Sequence, residues 1–328
     1  MAKTAVVILN YNGEDYLRKF LPSVIACSED AEIIVADNKS TDDSISILNQ
    51  EFPQVKIILL DKNYGYAGGY NKALEQVTSE YVALLNSDVE VTEGWLSTLI
   101  KFLGENPSYA ACQPKIKDYN HRAKFEYAGA SGGFIDSLGY PYCRGRIFDT
   151  IEFDSGQYDD PKDIFWSTGA CMVIRNEVYK KAGGLDADFF AHMEEIDLCW
   201  RIKSLGYKVK VMPSSVVFHV GGGTLSKLNS FKTYLNFRNG LLMLIKNLPP
   251  FQLLLKLPLR LVLDWVAAVK FFLEGNAKHG FAICKAHFKV LTTLKHTLKK
   301  RKLSSPIHNS NVIVLSYYLR KKEKFDQL

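Results

Sequence analysis

Short apolar runs alternate with amphipathic stretches along the first part of the chain. Four runs are apolar at nearly every position, namely residues 4–10, 32–37, 55–60 and 81–86. Runs of this kind are typical of parallel strands that helices cover on both faces. The stretches between and after them have a helical spacing of apolar residues, which predicts helices over 16–27, 42–50, 68–76 and 93–105. The pattern therefore predicts an α/β fold with a mostly parallel sheet flanked by helices.

Each predicted strand ends in polar turn residues. In chain order the turns read NYNG, DNKSTD, DKNYGYAGG and NSD. In an open α/β sheet the ligand crevice forms outside the carboxyl ends of the strands. We therefore expect all four turns to face one site.

The pattern is less regular in the middle of the chain. Residues 118–165 are rich in Gly, Tyr, Asp and Arg and allow no firm assignment. Strand character returns over 165–175, helices are predicted over 176–182 and 194–204, and short strands over 208–211 and 215–219. The α/β body is therefore expected to extend over residues 1–230.

Composition separates a second region, residues 231–328. The whole chain of 328 residues is 47% hydrophobic and 23% charged, as in globular proteins, and its net charge is +6. Residues 231–328 contain 18 Lys and Arg against 4 Asp and Glu, a net charge of +14, so the remainder is net −8. A strongly basic region of this kind indicates a polyanionic partner, either membrane lipid or nucleic acid.

The apolar residues of this region favour lipid over nucleic acid. Lysines are spaced among Leu, Trp and Phe, and no uncharged apolar run reaches the ~20 residues that span a bilayer. Such a pattern predicts basic, amphipathic helices lying on an anionic membrane surface, although a helical subdomain packed on the body is the alternative. Cysteines without CxxC spacing and a start without a secretory signal indicate the cytoplasm, with attachment at the inner face of the cell membrane.

Two turns carry groups suited to a nucleotide. The Asp37 carboxylate can accept hydrogen bonds from a nucleobase N–H or a ribose hydroxyl, although Asp also favours turns. The glycine-rich turn from Asn63 to Asn71 precedes a predicted helix, where backbone N–H groups can approach a diphosphate. A dinucleotide-binding fingerprint would follow the first strand instead, so this turn alone is a weak signal.

Two residues far apart in the sequence could hold a divalent metal. The turn Asn86-Ser87-Asp88 resembles a DxD turn whose first acid is replaced by Asn, and Asp88 could bind an ion that also holds a diphosphate. His219 follows another predicted strand and could complete a mixed nitrogen and oxygen site for Mg²⁺ or Mn²⁺. A plain turn and a structural histidine are the alternatives.

Three carboxylates crowd the start of the helix predicted at 194–204. Asp197 and Arg201 are spaced i, i+4, which predicts an ion pair. Glu194 lies on the same face as this pair, whereas Glu195 points elsewhere and is freer to act as a base. Acids in a first helical turn are also ordinary capping chemistry, but three of them exceed what capping needs.

Taken in order, these segments resemble the family 2 glycosyltransferases, and in particular their rhamnosyltransferase branch. The matching segments include VVILNYNGEDYLRKFLPSV, EIIVADNKSTDDS, NYGYAGGYNKAL, YVALLNSDVEV, STGACMVIRNEVYKKAGGLDADFFAHMEEIDLCWRIKSLGYKV and VVFHVGGGT. They cover most of residues 4–225, and YLNFRNGLLMLIKNLP resembles the link to the family's C-terminal helices. The resemblance implies a Rossmann-like GT-A fold, a nucleoside-diphosphate-sugar donor, a divalent metal and inversion at the anomeric carbon.

The same resemblance assigns roles to individual residues. The catalytic base falls on Glu195, where the family usually has Asp, with Glu194 beside it, and the metal ligands fall on Asp88 and His219. The acceptor pocket is expected at Trp166, Gly169 and Ala170. The donor site is expected at Leu9, Tyr11, Asp37, Asn63, Gly65, Asn71, Asn86 and Ser87.

A reaction follows from these roles. Glu195 would deprotonate an acceptor hydroxyl, which attacks the sugar from the face opposite the diphosphate. The expected donor is dTDP-rhamnose or a UDP-hexose, and the acceptor is a saccharide or a lipid-linked saccharide of a bacterial surface polysaccharide. A hydrolase or oxidoreductase on the same scaffold lacks its motifs here, and a non-catalytic nucleotide-sugar-binding membrane assembly factor is the other alternative. No nucleic-acid partner is expected.

Overall fold

A nine-stranded mixed sheet and a smaller four-stranded sheet form the framework of the protein in the computed structural model, which describes residues 3–221, 229–301 and 305–328. The main sheet has the order β11-β13-β6-β12-β4-β1-β2-β3, with β5 paired to β13. The strands are β1 Thr4–Asn10, β2 Ala31–Asp37, β3 Lys56–Leu59, β4 Tyr81–Asn86, β5 Val89–Val91, β6 Tyr109–Asp118, β7 Gly133–Ile135, β8 Pro141–Cys143, β9 Arg146–Ile147, β10 Thr150–Ile151, β11 Lys162–Ile164, β12 Cys171–Arg175 and β13 Lys208–His219.

The predicted parallel strands form one half of this sheet. Strands β4, β1, β2 and β3 are parallel neighbours, and β12 runs antiparallel between β4 and β6. The register places Asn10 beside Asp37, and Leu9 beside Asn86. The polar turns at the ends of β1, β2 and β4 therefore meet at one edge, as expected.

Helices cover both faces of the sheet because its strands are apolar on both faces. In β1, Ala5 and Val7 belong to one apolar core, whereas Val6 and Ile8 belong to the other. This alternation is the normal consequence of side chains pointing to opposite faces of a strand. The helices are α1 Glu14–Ala26, α2 Ser44–Glu51, α3 Gly65–Leu74, α4 Trp95–Glu105, α5 Asn176–Lys181, α6 Glu194–Ser204, α7 Ser230–Asn247, α8 Pro250–Leu273, α9 Ala277–Lys299 and α10 Ile313–Tyr318.

The segment 118–165, which the sequence pattern left unassigned, is largely extended. Strands β7 to β10 form the small antiparallel sheet in the order β10-β9-β8-β7, and β11 joins the edge of the main sheet. These strands are two or three residues long, so an alternating pattern has no room to develop.

Two predicted boundaries differ from the structure. The two short strands expected before His219 are one strand, β13, whose register against β6 shifts between Met212 and Val216. The strand expected over 165–175 begins only at Cys171. Residues just before it leave the sheet, since Trp166 instead bridges to Gly133 beside the small sheet.

Helix α7 belongs to the main apolar core. Leu241, Met243, Leu244 and Leu248 are buried in the same cluster as Trp200 of α6. These contacts cross the boundary predicted at residue 230, and the division into regions 1–230 and 231–328 stays a prediction.

Helix α8 buries two charged side chains and exposes many of its large apolar side chains. Its buried residues are Arg260, Asp264 and Ala268. Arg260 donates to Asp264 Oδ1 at 2.9 Å, and Tyr140 of the small-sheet region donates to the same oxygen at 2.9 Å. The outward face is apolar instead, with large side chains at Phe251, Leu254, Leu255, Leu259, Val262, Trp265, Val266, Val269, Phe272 and Leu273.

Helix α9 carries further outward apolar residues at Phe281, Phe288, Leu291, Leu294 and Leu298. Of the 23 large exposed apolar residues in the described part of the chain, ten lie on α8 and five on α9. Within that part, no helix is long and apolar enough to cross a membrane.

Candidate active site

The turns after β1 and β2 are tied together by side-chain hydrogen bonds. Asp37 accepts a hydrogen bond from Asn10 Nδ2 at 3.1 Å and another from the Ser40 backbone N–H at 2.8 Å. Asp37 is buried at the end of β2, and neighbouring Leu9 packs against the core. Tyr11 is half exposed at the mouth of the same edge. The structure therefore brings Leu9, Tyr11 and Asp37 together.

A second network shapes the glycine-rich turn before α3. Asn63 Oδ1 accepts hydrogen bonds from Asn38 Nδ2 at 3.0 Å and from the Gly65 N–H at 2.8 Å. Asn38 Oδ1 in turn accepts from the Tyr64 N–H at 2.9 Å. Gly65 has a φ of 68°, a left-handed conformation that favours glycine. This network starts α3 beside Asp37, with its amino end at the candidate site.

Two of the predicted site residues are engaged within the protein. Asn71 accepts from the Tyr179 hydroxyl at 2.6 Å and donates to the Leu185 carbonyl at 2.7 Å, so it holds the turn after α5. Trp166 is buried over Gly133 and donates to the Phe134 carbonyl at 2.9 Å. These placements favour structural roles, and contact of Asn71 with a donor or Trp166 with an acceptor stays a prediction.

The two candidate metal ligands, 131 residues apart in sequence, lie side by side. Asp88 Oδ1 is 3.1 Å from His219 Nε2, and both residues are buried. Their strands explain the approach, since β13 pairs with β5, which begins directly after Asp88. Ser87 faces Gly13 in the turn after β1, which joins this pair to the donor side of the site.

Glu126 is a neighbour of His219 that sequence reasoning missed. Its carboxylate is buried, and its Oε1 lies 3.4 Å from His219 Nδ1. Burial alone would lower the pKa of His219, but hydrogen bonding to Asp88 and Glu126 raises that pKa to about 10. Glu126 lies in the irregular segment 118–165, where no spacing or motif marks it.

The donor set at this position fits a divalent metal. One carboxylate oxygen and one imidazole nitrogen converge, a ligand pair that Mn²⁺ and Mg²⁺ sites tolerate once the ion displaces the imidazole proton. Among the described residues no cluster of three His, Cys, Asp or Glu side chains could hold an ion by itself. Asp88 and His219 therefore fit an ion that takes its remaining ligands from elsewhere, as diphosphate oxygens would provide.

The three carboxylates at the start of α6 lie in two different environments. Asp197 is fully buried and accepts from Arg201 Nε at 2.9 Å, which confirms the ion pair. Lys246 Nζ at 2.9 Å and Asn247 Nδ2 at 2.8 Å, both from α7, also bind it. Burial tends to raise the pKa of Asp197, but the charges of Arg201 and Lys246 outweigh it and lower that pKa.

Glu194 and Glu195 have a different environment from Asp197. Burial raises the pKa of Glu194 well above its usual range, and the charge of Glu195 adds to this. Burial also raises the pKa of Glu195, to about 7, against the lowering effect of backbone N–H groups. Within the described part of the chain, Oε2 of each glutamate has no hydrogen-bond partner. Glu195 is therefore a carboxylate that can exchange a proton near neutral pH.

Tyr66 is partly buried beside the end of the sheet, within the electrostatic influence of the two glutamates. Its hydroxyl donates to the Gly169 carbonyl at 2.6 Å, and the charges of Glu194 and Glu195 help burial to raise the pKa of Tyr66. The next residue, Ala170, accepts from the Asn86 N–H at 3.0 Å, one turn from Asp88. These contacts run from Tyr66 toward Asp88, and the catalytic, acceptor and metal roles of the predicted residues stay predictions. Sequence reasoning missed Tyr66, although an aromatic residue within a glycine-rich turn was a visible signal.

Comparison with known proteins identifies this arrangement. The family model described as Glycosyl transferase family 2 matches residues 5–183, more than half of the chain. The chain belongs to glycosyl transferase family 2. The protein is therefore a glycosyltransferase, and the predicted resemblance is confirmed.

The relatives of this family 2 glycosyltransferase include rhamnosyltransferases. It is 25% identical over 230 residues to N-acetylglucosaminyl-diphospho-decaprenol L-rhamnosyltransferase of Mycobacterium tuberculosis, covering 65% of this chain and 75% of the relative. It is 25% identical over 223 residues to rhamnosyltransferase WbbL of Escherichia coli K12, covering 65% and 82%. These similarities confirm the rhamnosyltransferase-like branch.

A solved structure supports the fold. GalNAc-T7, crystallised with UDP, GalNAc and Mn²⁺, superposes with a TM-score of 0.60 at 16% identity, covering 77% of this chain and 49% of that one. The present chain therefore spans about half the length of GalNAc-T7. The likeness confirms the GT-A fold, in which the parallel strands β4, β1, β2 and β3 and the antiparallel β12 share one sheet.

Proposed function

We propose that the protein transfers a sugar, with inversion, from a nucleoside-diphosphate-sugar to a hydroxyl of a saccharide or lipid-linked saccharide in surface polysaccharide synthesis. The observation that carries the proposal is Glu195, a carboxylate with a free oxygen and a pKa of about 7 at the start of α6. The charge of Glu195 helps to raise the pKa of Tyr66, whose hydroxyl donates to the Gly169 carbonyl. The next residue, Ala170, accepts from the N–H of Asn86, at the sheet edge where Asp37 also lies.

In this proposal each acidic residue has one task. Glu195 removes the proton from the acceptor hydroxyl as that oxygen attacks the anomeric carbon, and the bond from this carbon to the diphosphate oxygen breaks. Glu194, whose pKa is higher, stays protonated, so Glu195 is not opposed by a second negative charge. Asp37 binds the nucleoside, and the turn of Asn63 and Gly65, at the amino end of α3, lies on the diphosphate side.

Asp88 and His219 would hold a divalent Mg²⁺ or Mn²⁺ ion, which when bound offsets the charge of the leaving diphosphate. Support comes from the convergence of their Oδ1 and Nε2 atoms and from the Mn²⁺ named in the GalNAc-T7 structure.

The substrates are proposed from the relatives. Two of them are rhamnosyltransferases by name, so dTDP-rhamnose is the first candidate donor and UDP-hexoses are the next. The relative from M. tuberculosis is named for an N-acetylglucosaminyl-diphospho-decaprenol acceptor, which supports a lipid-linked saccharide here.

The experiment measures nucleoside diphosphate released from a panel of dTDP, UDP and GDP sugars, with Mg²⁺ or Mn²⁺ and with extracted lipid-linked saccharides. Glu195→Gln should abolish release and leave donor binding by calorimetry intact. Glu177→Gln is the matched control, since Glu177 is an exposed acid in the first turn of α5. Retained turnover in Glu195→Gln would place the base elsewhere, and donor binding without turnover by any variant would favour the non-catalytic assembly factor.

The proposal includes a location at the cytoplasmic, inner face of the cell membrane. Residues 231–328 combine a net charge of +14 with the outward apolar faces of α8 and α9, as expected of helices that lie on anionic lipid. The full chain should sediment with vesicles of phosphatidylglycerol and much less with vesicles of phosphatidylcholine. Equal recovery with both, or with neither, would contradict an anionic membrane partner.

A further inference from the structure

The backbone immediately before the catalytic glutamates is held in an unfavourable conformation. Phe190, His192 and Met193 have φ values of 66°, 68° and 73°, in the left-handed region that side chains with a Cβ disfavour. Such a residue persists only where its surroundings impose the conformation. Met193 is the residue from which α6 begins, so this segment determines where Glu195 lies.

One buried side chain from α7 binds the carbonyl groups of this segment. Asn239 is 0% exposed, and its Nδ2 lies 3.0 Å from the Phe189 oxygen, 2.8 Å from the Ala191 oxygen and 2.7 Å from the His192 oxygen. An amide has two N–H groups, so three acceptors share them. The contacts span the backbone on both sides of Phe190 and reach His192.

The neighbouring Arg238 fixes the orientation of this amide. Its Nε donates to Asn239 Oδ1 at 2.8 Å, so the oxygen of Asn239 faces Arg238 and the nitrogen faces the segment. Arg238 Nη2 also donates to the Phe189 carbonyl at 2.8 Å. The pair lies in the FRNG part of the segment YLNFRNGLLMLIKNLP, to which the transfer reaction assigns no role.

We propose that Asn239 is a positioning residue that holds the strained segment 190–193 and thereby the location of Glu195. The proposal rests on the proposed function, in which Glu195 is the base. Asn239 contacts backbone oxygens rather than the glutamates, so its loss would displace Glu195 while leaving its chemistry unchanged. A displacement of about 1 Å at a reacting group can cost about a hundredfold in rate.

The test compares two buried asparagines that make the same kind of contact. Asn176 is 4% exposed, and its Nδ2 donates to the Val77 and Ser79 carbonyls at 3.1 and 2.9 Å, at the opposite ends of β4 and β12 from the catalytic edge. In the full-length protein, Asn239→Ala should lower kcat about tenfold to a hundredfold with little change in donor Kd. Asn176→Ala should lower the thermal midpoint to a similar extent and keep kcat within about threefold.

Hydrogen exchange of the backbone amides supplies a readout that does not depend on turnover. In Asn239→Ala, peptides covering residues 188–197 should exchange faster, whereas peptides covering β1 and β2 should not change. Asn239→Asp is the second variant, because a carboxylate matches the amide in shape but cannot donate to carbonyl groups. It should reproduce both the kcat loss and the faster exchange.

The outcomes separate this proposal from the one on which it rests. Unchanged exchange at 188–197 in both Asn239 variants, or faster exchange with an unchanged kcat, would overturn the positioning role. An equal kcat loss in Asn176→Ala would also overturn it, because general destabilisation would then explain the effect. Full activity of Glu195→Gln would instead overturn the base assignment, while faster exchange would still show that Asn239 holds the segment.

Discussion

Removing two outward apolar side chains should detach the protein from anionic vesicles without unfolding it. Leu254 on α8 is 72% exposed and Phe288 on α9 is 68% exposed, so neither stabilises the folded chain by burial. The double substitution Leu254→Ser, Phe288→Ser should therefore change the free energy of unfolding by less than about 1 kcal/mol. Its effect should appear in membrane binding instead.

The expected loss of binding follows from the exposed area. Full burial of a Leu or Phe side chain stabilises by about 1.5–3 kcal/mol, and roughly two thirds of each of these side chains is available to lipid. The two substitutions should thus weaken binding by about 2–4 kcal/mol. Since about 1.4 kcal/mol corresponds to a tenfold change, the partition coefficient should fall about 30- to 700-fold.

The assay is cosedimentation with phosphatidylglycerol vesicles over a range of lipid concentration. A matched control is Leu59→Ser, Phe153→Ser, which removes the same two residue types, each 64% exposed, from the region before residue 230. The control should bind vesicles like the unchanged protein. Unweakened binding of the α8 and α9 variant would refute the reasoning, as would an equal loss in the control.

Further predictions concern the proton, the metal and a buried ion pair. Because burial raises the pKa of Glu195 from 4.5 to about 7, kcat should rise as pH increases through 7. The folded state holds this proton more tightly than the unfolded state, so stability measured by thermal unfolding should fall between about pH 4.5 and pH 7. A kcat independent of pH between about 5.5 and 8 would contradict this. Chelation with EDTA should abolish sugar transfer, and added Mn²⁺ should restore it. In a metal titration, His219→Ala should need at least about tenfold more metal to reach its half-maximal rate. Activity that persists after chelation would contradict the metal site. Lys246→Met should lower the free energy of unfolding in urea by about 2–4 kcal/mol, because the fully buried Asp197 loses one of its two cationic partners. Lys72→Met removes an exposed ion pair and should cost at most about 1 kcal/mol. Equal costs for the two lysines would contradict the importance given to the buried ion pair.

The turns that meet at this edge of the sheet were predictable, because parallel strands all end at the same edge. Once the apolar runs are taken as parallel strands, the turns at Asn10, Asp37 and Asn86 must meet, and the register confirms that they do. The Asp197–Arg201 pair was predictable from helical spacing alone. By contrast, Glu126 reaches His219 from an irregular segment, and neither periodicity nor turn chemistry places such a residue.

The orientation of α8 shows a second limit of sequence reasoning. Periodicity predicts that a helix has an apolar and a polar face, but it does not say which face the protein covers. Here the covered side includes a buried polar pair, because Arg260 and Asp264 find partners in Tyr140 and in His287 of α9. On the same helix Leu253, Leu257 and Leu261 pack against the main core, while most other large apolar residues face outward. The partners of Asp264 lie 124 and 23 residues away from it, so this arrangement depends on tertiary contacts that a local pattern does not contain.

Basic residues within 231–328 form ion pairs with acids that lie close to the proposed base. Lys300, directly after α9, binds Asp186 and Asp188, and Lys246 of α7 binds Asp186. Both acids lie on the segment that leads to Glu195. A surface that served only for attachment would need no such contacts, since lipid binding requires only the outward faces. The inward faces of the same helices instead neutralise buried and half-buried acids next to the proposed base. Part of the positive charge that composition assigns to a membrane partner is therefore already paired within the protein. The lipid should accordingly be attracted by the exposed lysines alone, and the salt dependence of vesicle binding should correspond to fewer charges than the net +14.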